Sequence, residues 1–210
     1  MDKKKKKSYI VLRSIGHALR FILFIMLLYA IFEREWLWVF FAIIMFIITL
    51  IPIFLRVYLK IDLPYLFDVF FELSLIFHMD SSLYNFLDFI PEYNKFTHFF
   101  SAVVVAFIFL ISLFVFNEYH RGIAIDKFKI LFDVQVITMA FGVIWEFMEW
   151  TSDELFGLNT QPSLDDTMGD LFADTMGGLF IVIIGYFLIK RGILQNFAKN
   201  FKKHFNDILD

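Results

Sequence analysis

The sequence contains no cysteine among its 210 residues. Disulfide bonds and thiolate metal sites are therefore excluded, although this absence does not identify a cellular compartment. The chain also lacks any polar stretch between its apolar segments that is long enough for a soluble domain. Hydrophobic residues make up 60% of the chain, and the mean hydropathy of +0.70 lies far above that of soluble globular domains. This composition is typical of an integral membrane protein.

Familiar catalytic motifs are absent as well. The chain has no phosphate-binding glycine loop, no G-x-S-x-G nucleophile elbow and no H-E-x-x-H zinc motif. No serine stands next to a histidine, so covalent hydrolysis has no support from the sequence. A function must therefore be sought among the polar residues of the apolar segments.

Six apolar segments are long enough, or nearly so, to cross a hydrocarbon core of about 30 Å, which takes roughly 20 helical residues. We predict an all-α polytopic membrane protein, a six-helix transmembrane bundle in a single membrane domain. The third segment is the shortest and contains Asp68 and Glu72. The first follows a lysine run but offers no cleavage site of small residues, so we interpret it as a retained anchor. The predicted spans lie near 12–32, 36–57, 63–79, 96–116, 128–150 and 165–190.

The distribution of lysine and arginine predicts the orientation, because cytoplasmic flanks accumulate both residues. With the N-terminus inside, all of the 19 Lys and Arg residues except Arg34 and Lys95 fall on cytoplasmic flanks. The agreement also supports the third span, because without it the later loops would lie on the wrong side. We expect a plasma (inner) membrane protein with both termini in the cytoplasm. An outer interfacial belt is then formed by Trp36, Trp38, Trp145 and Trp150.

Two segments outside the predicted spans have apolar residues at helical spacing. Residues 80–95 are predicted to lie along the outer surface of the membrane. The tail, residues 191–210, is predicted to be a cytoplasmic amphipathic helix whose lysines either bind anionic lipid headgroups or form an ordinary solvated face. The apolar stripe of this tail consists of Leu194, Phe197, Phe201 and Phe205.

The last predicted span opens with an acidic stretch, DDTMGDLFADTMGG, at residues 165–178. Asp166, Asp170 and Asp174 are spaced four residues apart and therefore share one face of a helix. Ser163 precedes Asp166 by three residues, as in a capping box. Capping therefore explains Asp165 and Asp166 at least as well as function does. Capping does not apply to Asp170 and Asp174, which lie one and two turns deeper in the helix.

Other polar residues are predicted at the same depth. His98 opens the fourth span, and Glu146 and Glu149 lie one turn apart near the end of the fifth. Each ionised acid at mid-membrane costs roughly 2.5–3.5 kcal/mol, so several acids together need a counter-charge. We predict a divalent cation, Mg²⁺, Mn²⁺ or Ca²⁺, because these ions prefer oxygen ligands, whereas structural zinc is disfavoured without cysteine. The predicted metal ligands are Glu146, Asp170, Asp174 and His98.

Two other interpretations remain open. Asp68 and Glu72 share one face of the third span without a cation one turn away, whereas Asp133 has Lys129 at the spacing of a local ion pair. Acids at two depths are what a small cation- or proton-coupled transporter requires. The third interpretation is that the acids and glycines serve only to pack helices or to bind a partner in the bilayer.

The chain contains, in order, YNKFTHFFS at residues 93–101, WEFMEW, and DTMGDLFADTMGG. Together with Pro64 and Glu72, these motifs resemble the YjdF-type inner-membrane proteins and, more distantly, the VanZ-like proteins, over residues 64–178. The resemblance implies an envelope-facing membrane protein without supplying a reaction. These families usually have an aspartate where this chain has Asn94, which removes one possible ligand. The matching positions are Lys95, His98, Glu146, Glu149, Asp170, Asp174, Thr175 and Gly177.

The sequence therefore predicts an extracytoplasmic pocket that binds a divalent cation and, through it, an anionic lipid or envelope headgroup. As an enzyme, the protein would perform metal-assisted phosphoester chemistry on a lipid. Glu149 or His98 would then act as general base, and Lys95 would contact the phosphate. Nothing in the sequence points to nucleic acid, and the oligomeric state does not follow from it.

Overall fold

The chain is all-helical in its computed structural model, which describes residues 3–58, 65–83, 92–119, 126–199 and 201. Within these ranges no strand occurs, so the all-α fold class is confirmed. Residues 193–199 are also helical. The helices in chain order are α1 (Lys3–Glu33), α2 (Trp36–Ile48), α3 (Ile51–Val57), α4 (Tyr65–Leu83), α5 (Tyr93–Tyr119), α6 (Lys127–Phe156) and α7 (Leu164–Lys190).

Five segments of the described chain are long and apolar enough to cross a membrane, and each overlaps a predicted span. Helix α4, the predicted third span, is not among them, and it contains the acids Asp68, Glu72 and Asp80. A multi-pass membrane protein is therefore supported. The predicted third span, and with it the total of six spans, stays a prediction. The five segments are Tyr9–Glu33, Trp38–Val57, Tyr93–Asn117, Lys127–Phe156 and Leu164–Lys190.

The chain divides into two compact units, Met1–Ile90 and Pro91–Asp210. In the first unit, α1 packs against both α2 and α4, and Leu23, Ala30 and Met79 are buried between them. The second predicted span is interrupted at residues 49–50, just before Pro52 near the start of α3. Proline has no N–H to donate to the carbonyl four residues earlier, so it fits the first turn of a new helix but not the interior of a continuous one.

Two buried ion pairs join helices within the first unit. Arg20 on α1 pairs with Glu72 on α4, and Arg56 on α3 pairs with Asp68, the two nitrogens of its guanidinium lying 2.7 and 2.6 Å from the carboxylate oxygens. The sequence offered neither acid a cation one turn away, and the structure supplies one to each from another helix. The two acids are therefore charge-compensated, so a missing counter-charge no longer supports a transporter, which stays a prediction from acids at two depths.

In the second unit, α7 packs against both α5 and α6. The core between them contains Ala106, Leu110, Val134 and Ile181. A Cβ added at Gly177 would lie 2.6 Å from the Phe99 carbonyl oxygen, so this glycine allows α5 and α7 to approach closely.

The two predicted surface segments lie partly outside the described residues. Of residues 80–95, the first four continue α4 and the last three belong to the start of α5, while 84–91 are outside. In the tail, Leu194 is buried in the core of the second unit, and the rings of Phe197 and Phe201 lie 6.5 Å apart. One face of the tail helix therefore packs on protein. The remaining residue of the predicted stripe, Phe205, is outside the described part of the chain.

Candidate metal centre

Four polar side chains from three helices converge within the second unit. His98 comes from α5, Glu146 and Glu149 from α6, and Asp170 from α7, and one ligand atom from each lies within 4.8 Å of the others. Asp170 is 0% exposed, Glu146 5% and His98 6%, so the group is withdrawn from the surface. We call these four residues the acidic centre.

Local sequence determines where the acidic centre lies on each helix. Helix α7 begins after Ser163, whose Oγ accepts a hydrogen bond from the Asp166 N–H at 3.1 Å, which confirms the predicted cap. Asp170 lies one turn beyond Asp166 and therefore points in a similar direction. Glu146 and Glu149 are three residues apart on α6, so both can face the same neighbouring helices.

Each carboxylate of the acidic centre has one oxygen held by a hydrogen-bond donor. The Asn94 side chain donates to Asp170 Oδ2 at 2.8 Å. The Gln161 side chain donates to Glu146 Oε2 at 2.6 Å, and the Trp145 indole donates to Glu149 Oε1 at 2.9 Å. These three donors are neutral, so they orient the carboxylates without neutralising them.

The opposite oxygen of each carboxylate is buried and has no hydrogen-bond partner among the described residues. These atoms are Glu146 Oε1, Glu149 Oε2 and Asp170 Oδ1. A buried acceptor without a partner costs on the order of 1–3 kcal/mol, and more when it is charged. Three such atoms in one group are the arrangement that a cation would satisfy.

The imidazole of His98 lies between acids of α6 and α7. Its Nδ1 lies 3.3 Å from Asp174 Oδ2 and 4.0 Å from Glu146 Oε1, and its Nε2 lies 3.8 Å from Asp170 Oδ2. Asp174 fits this position because Gly142 on α6 faces it, and a Cβ there would lie 3.0 Å from the carboxylate carbon. Asp174 thus contacts Nδ1, the same ring nitrogen that lies nearest Glu146, and it is not one of the four residues of the acidic centre.

The predicted ligand set and the observed group differ in one member. We predicted Asp174 as a ligand and Glu149 as a general base, whereas the convergent group contains Glu149 and not Asp174. The spacing of Asp170 and Asp174 places both on one face of α7, but it does not show which of them lies opposite the two glutamates.

Lys95, predicted to contact a phosphate, lies at the partly exposed edge of the acidic centre. Its Nζ pairs with Glu92, and its side chain is 36% exposed. The aliphatic part of the same side chain packs against Gly169, the residue before Asp170. Lys95 therefore borders the acidic centre while its charge is partnered by another acid.

A short loop between α6 and α7 supplies Gln161. The carboxylate of Asp153 accepts hydrogen bonds from the Thr160 N–H at 2.8 Å, the Thr160 hydroxyl at 2.7 Å and the Gln161 N–H at 2.9 Å. Gly157 ends α6 with a φ of 66°, a left-handed conformation that glycine adopts without strain. The loop is thus fixed at both its start and its middle.

Sequence reasoning missed the three donors Asn94, Trp145 and Gln161. Asn94 had been noted only as a departure from the resembling families, and Trp145 as part of an interfacial belt. Gln161 could have been identified as a candidate donor because it is a polar amide in the short loop between two segments that contain the predicted acids. No spacing rule connects residues of different helices, so the pairs themselves could not be predicted.

The charges of the site do not balance within the described residues. Glu146, Glu149, Asp170 and Asp174 are four potential negative charges around one imidazole. With all four ionised and His98 protonated, three negative charges would remain. In a membrane interior such charges call for a cation, bound protons or a water-filled cavity.

The fold and site define a multi-pass, all-helical membrane protein with a buried acidic centre between three helices. The chain belongs to the family described as "Predicted membrane protein (DUF2238)", whose profile matches residues 15–191. No curated protein and no solved structure matches the chain. The match confirms membership of a membrane-protein family, while the YjdF- and VanZ-like resemblance stays a prediction. The family description names no reaction, so the function must be argued from the site.

Proposed function

We propose that the acidic centre binds a hard divalent cation and, through it, an anionic lipid or envelope headgroup. The observation that carries the proposal is the hydrogen-bonding pattern that its three carboxylates have in common. Each has one oxygen held by a neutral donor, and its other oxygen is buried without a hydrogen bond from any described residue. A purely structural cluster would gain from pairing the second oxygens too, because unpaired buried acceptors are costly.

The donor set suits the predicted ions. Carboxylate oxygens are the preferred ligands of Mg²⁺, Mn²⁺ and Ca²⁺, and an imidazole nitrogen beside them favours Mn²⁺ over the other two. Cysteine is absent, so the thiolate sites typical of structural zinc are excluded. A divalent ion would also compensate most of the excess negative charge.

The residues around the acidic centre have positioning roles in this proposal. Asn94, Trp145 and Gln161 fix the carboxylates from outside. Asp174 holds the Nδ1 side of His98, which leaves Nε2 directed towards Asp170 and available to the ion. Such outer partners commonly set the orientation and basicity of metal ligands.

The open edge near Lys95 is where an anionic headgroup would approach. An ion held by protein ligands on one side keeps further coordination positions for phosphate oxygens. Lys95 would then exchange Glu92 for the phosphate, which is possible because both side chains are partly exposed. When bound, the ion would supply Lewis-acid polarisation of a phosphoryl oxygen, the chemistry that an enzyme of this kind requires.

The test is thermal melting of the detergent-purified full-length protein, combined with its metal content by mass spectrometry. EDTA should lower the melting temperature, and one of Mg²⁺, Mn²⁺ or Ca²⁺ should restore it, with Zn²⁺ as the comparison ion that the proposal disfavours. Asp170→Asn should abolish both the response and the bound metal. Asp133→Asn is the matched control, because Asp133 pairs with Lys129 at the surface, away from the acidic centre.

A metal-free protein that does not respond to chelator or to any of the four ions would overturn the proposal. The acids would then be protonated or serve helix packing, as the third interpretation of the sequence holds. A response that Asp133→Asn loses as completely as Asp170→Asn would place the ion outside the acidic centre.

A further inference from the structure

The first unit contains a cavity of about 120 Å³ between α1, α3 and α4. It belongs to neither the acidic centre nor the proposed cation site, all of whose residues lie in the second unit. Its wall is unusually cationic for an apolar helix bundle. The polar residues that line it are Arg13, His17, Arg20, Arg56, Tyr65 and Asp68.

Two of the three arginines are held in place by other groups. Arg56 pairs through both terminal nitrogens with Asp68, and its guanidinium carbon lies 4.2 Å from the centre of the Tyr65 ring. Arg20 pairs with Glu72 and donates to the Thr49 side chain at 3.2 Å and to the Thr49 carbonyl at 3.0 Å. Both guanidinium groups are therefore oriented before any ligand arrives.

The third arginine supplies the excess charge. Arg13 is exposed and has no carboxylate within ion-pair distance among the described residues. His17 lies one turn further along α1, and its Nδ1 lies 3.4 Å from Arg20 Nη1. The lining of the cavity thus contains three guanidinium groups and one imidazole but only one carboxylate, that of Asp68.

We propose that this cavity binds a phosphate group. Guanidinium groups match the geometry of phosphate oxygens and donate two parallel hydrogen bonds to them. At about 120 Å³ the cavity holds several waters, each with a liquid share of about 30 Å³, and it is well below the roughly 300–1,000 Å³ of drug-sized ligand sites. The size therefore suits a phosphate or a lipid headgroup and excludes an enclosed nucleotide.

The depth of the cavity is compatible with a lipid headgroup or with free phosphate. Arg13 follows the start of the first apolar segment, Tyr9, by four residues, which is about 6 Å along a helix. By the distribution of lysine and arginine, this end of α1 is predicted to face the cytoplasm. The two sources share the same chemistry, so the experiment has to distinguish them.

The first arm measures thermal melting of the purified full-length protein with inorganic phosphate, against chloride at equal ionic strength. Phosphate should stabilise the wild type, and Arg13→Gln should weaken its apparent affinity about tenfold, the loss of one charge-assisted hydrogen bond. His17→Gln should act in the same direction. Arg191→Gln removes an exposed arginine of the second unit and should behave as wild type.

The second arm measures by native mass spectrometry which lipid the protein retains from vesicles of phosphatidylcholine and phosphatidic acid. Retention of phosphatidic acid that is lost in Arg13→Gln assigns the site to a lipid headgroup. Stabilisation by inorganic phosphate without lipid retention assigns it to free phosphate.

Absence of both effects in the wild type would overturn the proposal. Equal losses in Arg13→Gln and Arg191→Gln would do the same, because they would show a general effect of surface charge. Arg13 is exposed, so its substitution is not expected to prevent folding, and Arg13→Lys should retain part of the binding.

Discussion

Asp174 on α7 faces His98 on α5, with the carboxylate Oδ2 3.3 Å from the imidazole Nδ1. The two helices approach closely here, because Gly177 lies one turn beyond Asp174 and packs against the backbone of Phe99, the neighbour of His98. The orientation of the imidazole is therefore determined both by a carboxylate and by the packing of two helices. If the acidic centre binds a cation as proposed, this contact would make His98 a ligand and Asp174 a residue that orients it.

Asp174→Asn should weaken ion binding without abolishing it. The amide keeps the shape of the carboxylate but loses its charge, and outer-shell substitutions of this kind typically reduce metal affinity about 10–100-fold. Asp170→Asn should abolish binding, because Asp170 belongs to the acidic centre itself. Isothermal titration of the metal-stripped proteins measures both affinities. Equal loss in the two variants would return Asp174 to the ligand set predicted from the sequence.

Gln161→Ala should reduce ion affinity while leaving the helices intact. The substitution frees Glu146 Oε2, which the amide otherwise holds at 2.6 Å, so the carboxylate becomes less well oriented for the ion. We expect a reduction of about tenfold or more by the same titration. Glu154→Ala, at an exposed position outside the acidic centre, is the control. An unchanged affinity for Gln161→Ala would show that this contact does not position a ligand.

Gly177→Ala should destabilise the second unit by about 1–3 kcal/mol, the usual range for overpacking. The added methyl group would lie 2.6 Å from the Phe99 carbonyl oxygen and 2.7 Å from Ala102 Cβ, so α5 and α7 would have to separate. Gly16→Ala is the matched control within a helix, because its Cβ would meet Asp68 Cβ at an ordinary 3.5 Å. Thermal melting compares the two. A melting temperature unchanged in Gly177→Ala would contradict the close approach.

Arg20→Met should be strongly destabilising. It leaves the Glu72 carboxylate, which is 0% exposed, without its cation, and removal of one partner of a buried pair typically costs about 3–5 kcal/mol. The double variant Arg20→Met, Glu72→Leu should recover much of the loss, since no unpaired charge remains. Thermal melting of the two single variants and the double variant gives the coupling. A double variant as unstable as Arg20→Met alone would show that the ion pair is not the origin of the effect.

The sequence predicted the features that depend on one helix and not those that join two. The Ser163 cap and the Lys129 to Asp133 ion pair, with nitrogen and oxygen 2.7 Å apart, are both confirmed because three- and four-residue spacing fixes such neighbours. The four-residue spacing also predicted that Asp170 lies on one helix face with Asp166 and Asp174. These are local properties of a 3.6-residue repeat.

Partners on different helices required the packed structure. Asn94 and Asp170 are 76 residues apart, and Arg20 and Glu72 are 52 apart. The rotation and axial shift of one helix against another decide such pairs, and both depend on side-chain packing and on small residues such as Gly177. For the same reason the sequence identified the acids of the site but not which of them converge in the acidic centre and which lie outside it.

The number of membrane crossings can be tested directly, because the chain has no cysteine and each single-cysteine variant carries one unique label site. With six spans and a cytoplasmic N-terminus, Asp165→Cys should react with a membrane-impermeant maleimide in intact cells. Lys127→Cys and Lys199→Cys should react only after the membrane is opened. If α4 does not cross the membrane, every later helix reverses its direction, and the three accessibilities exchange. Reaction of the two lysine positions in intact cells would therefore refute the predicted third span and move the acidic centre to the cytoplasmic side.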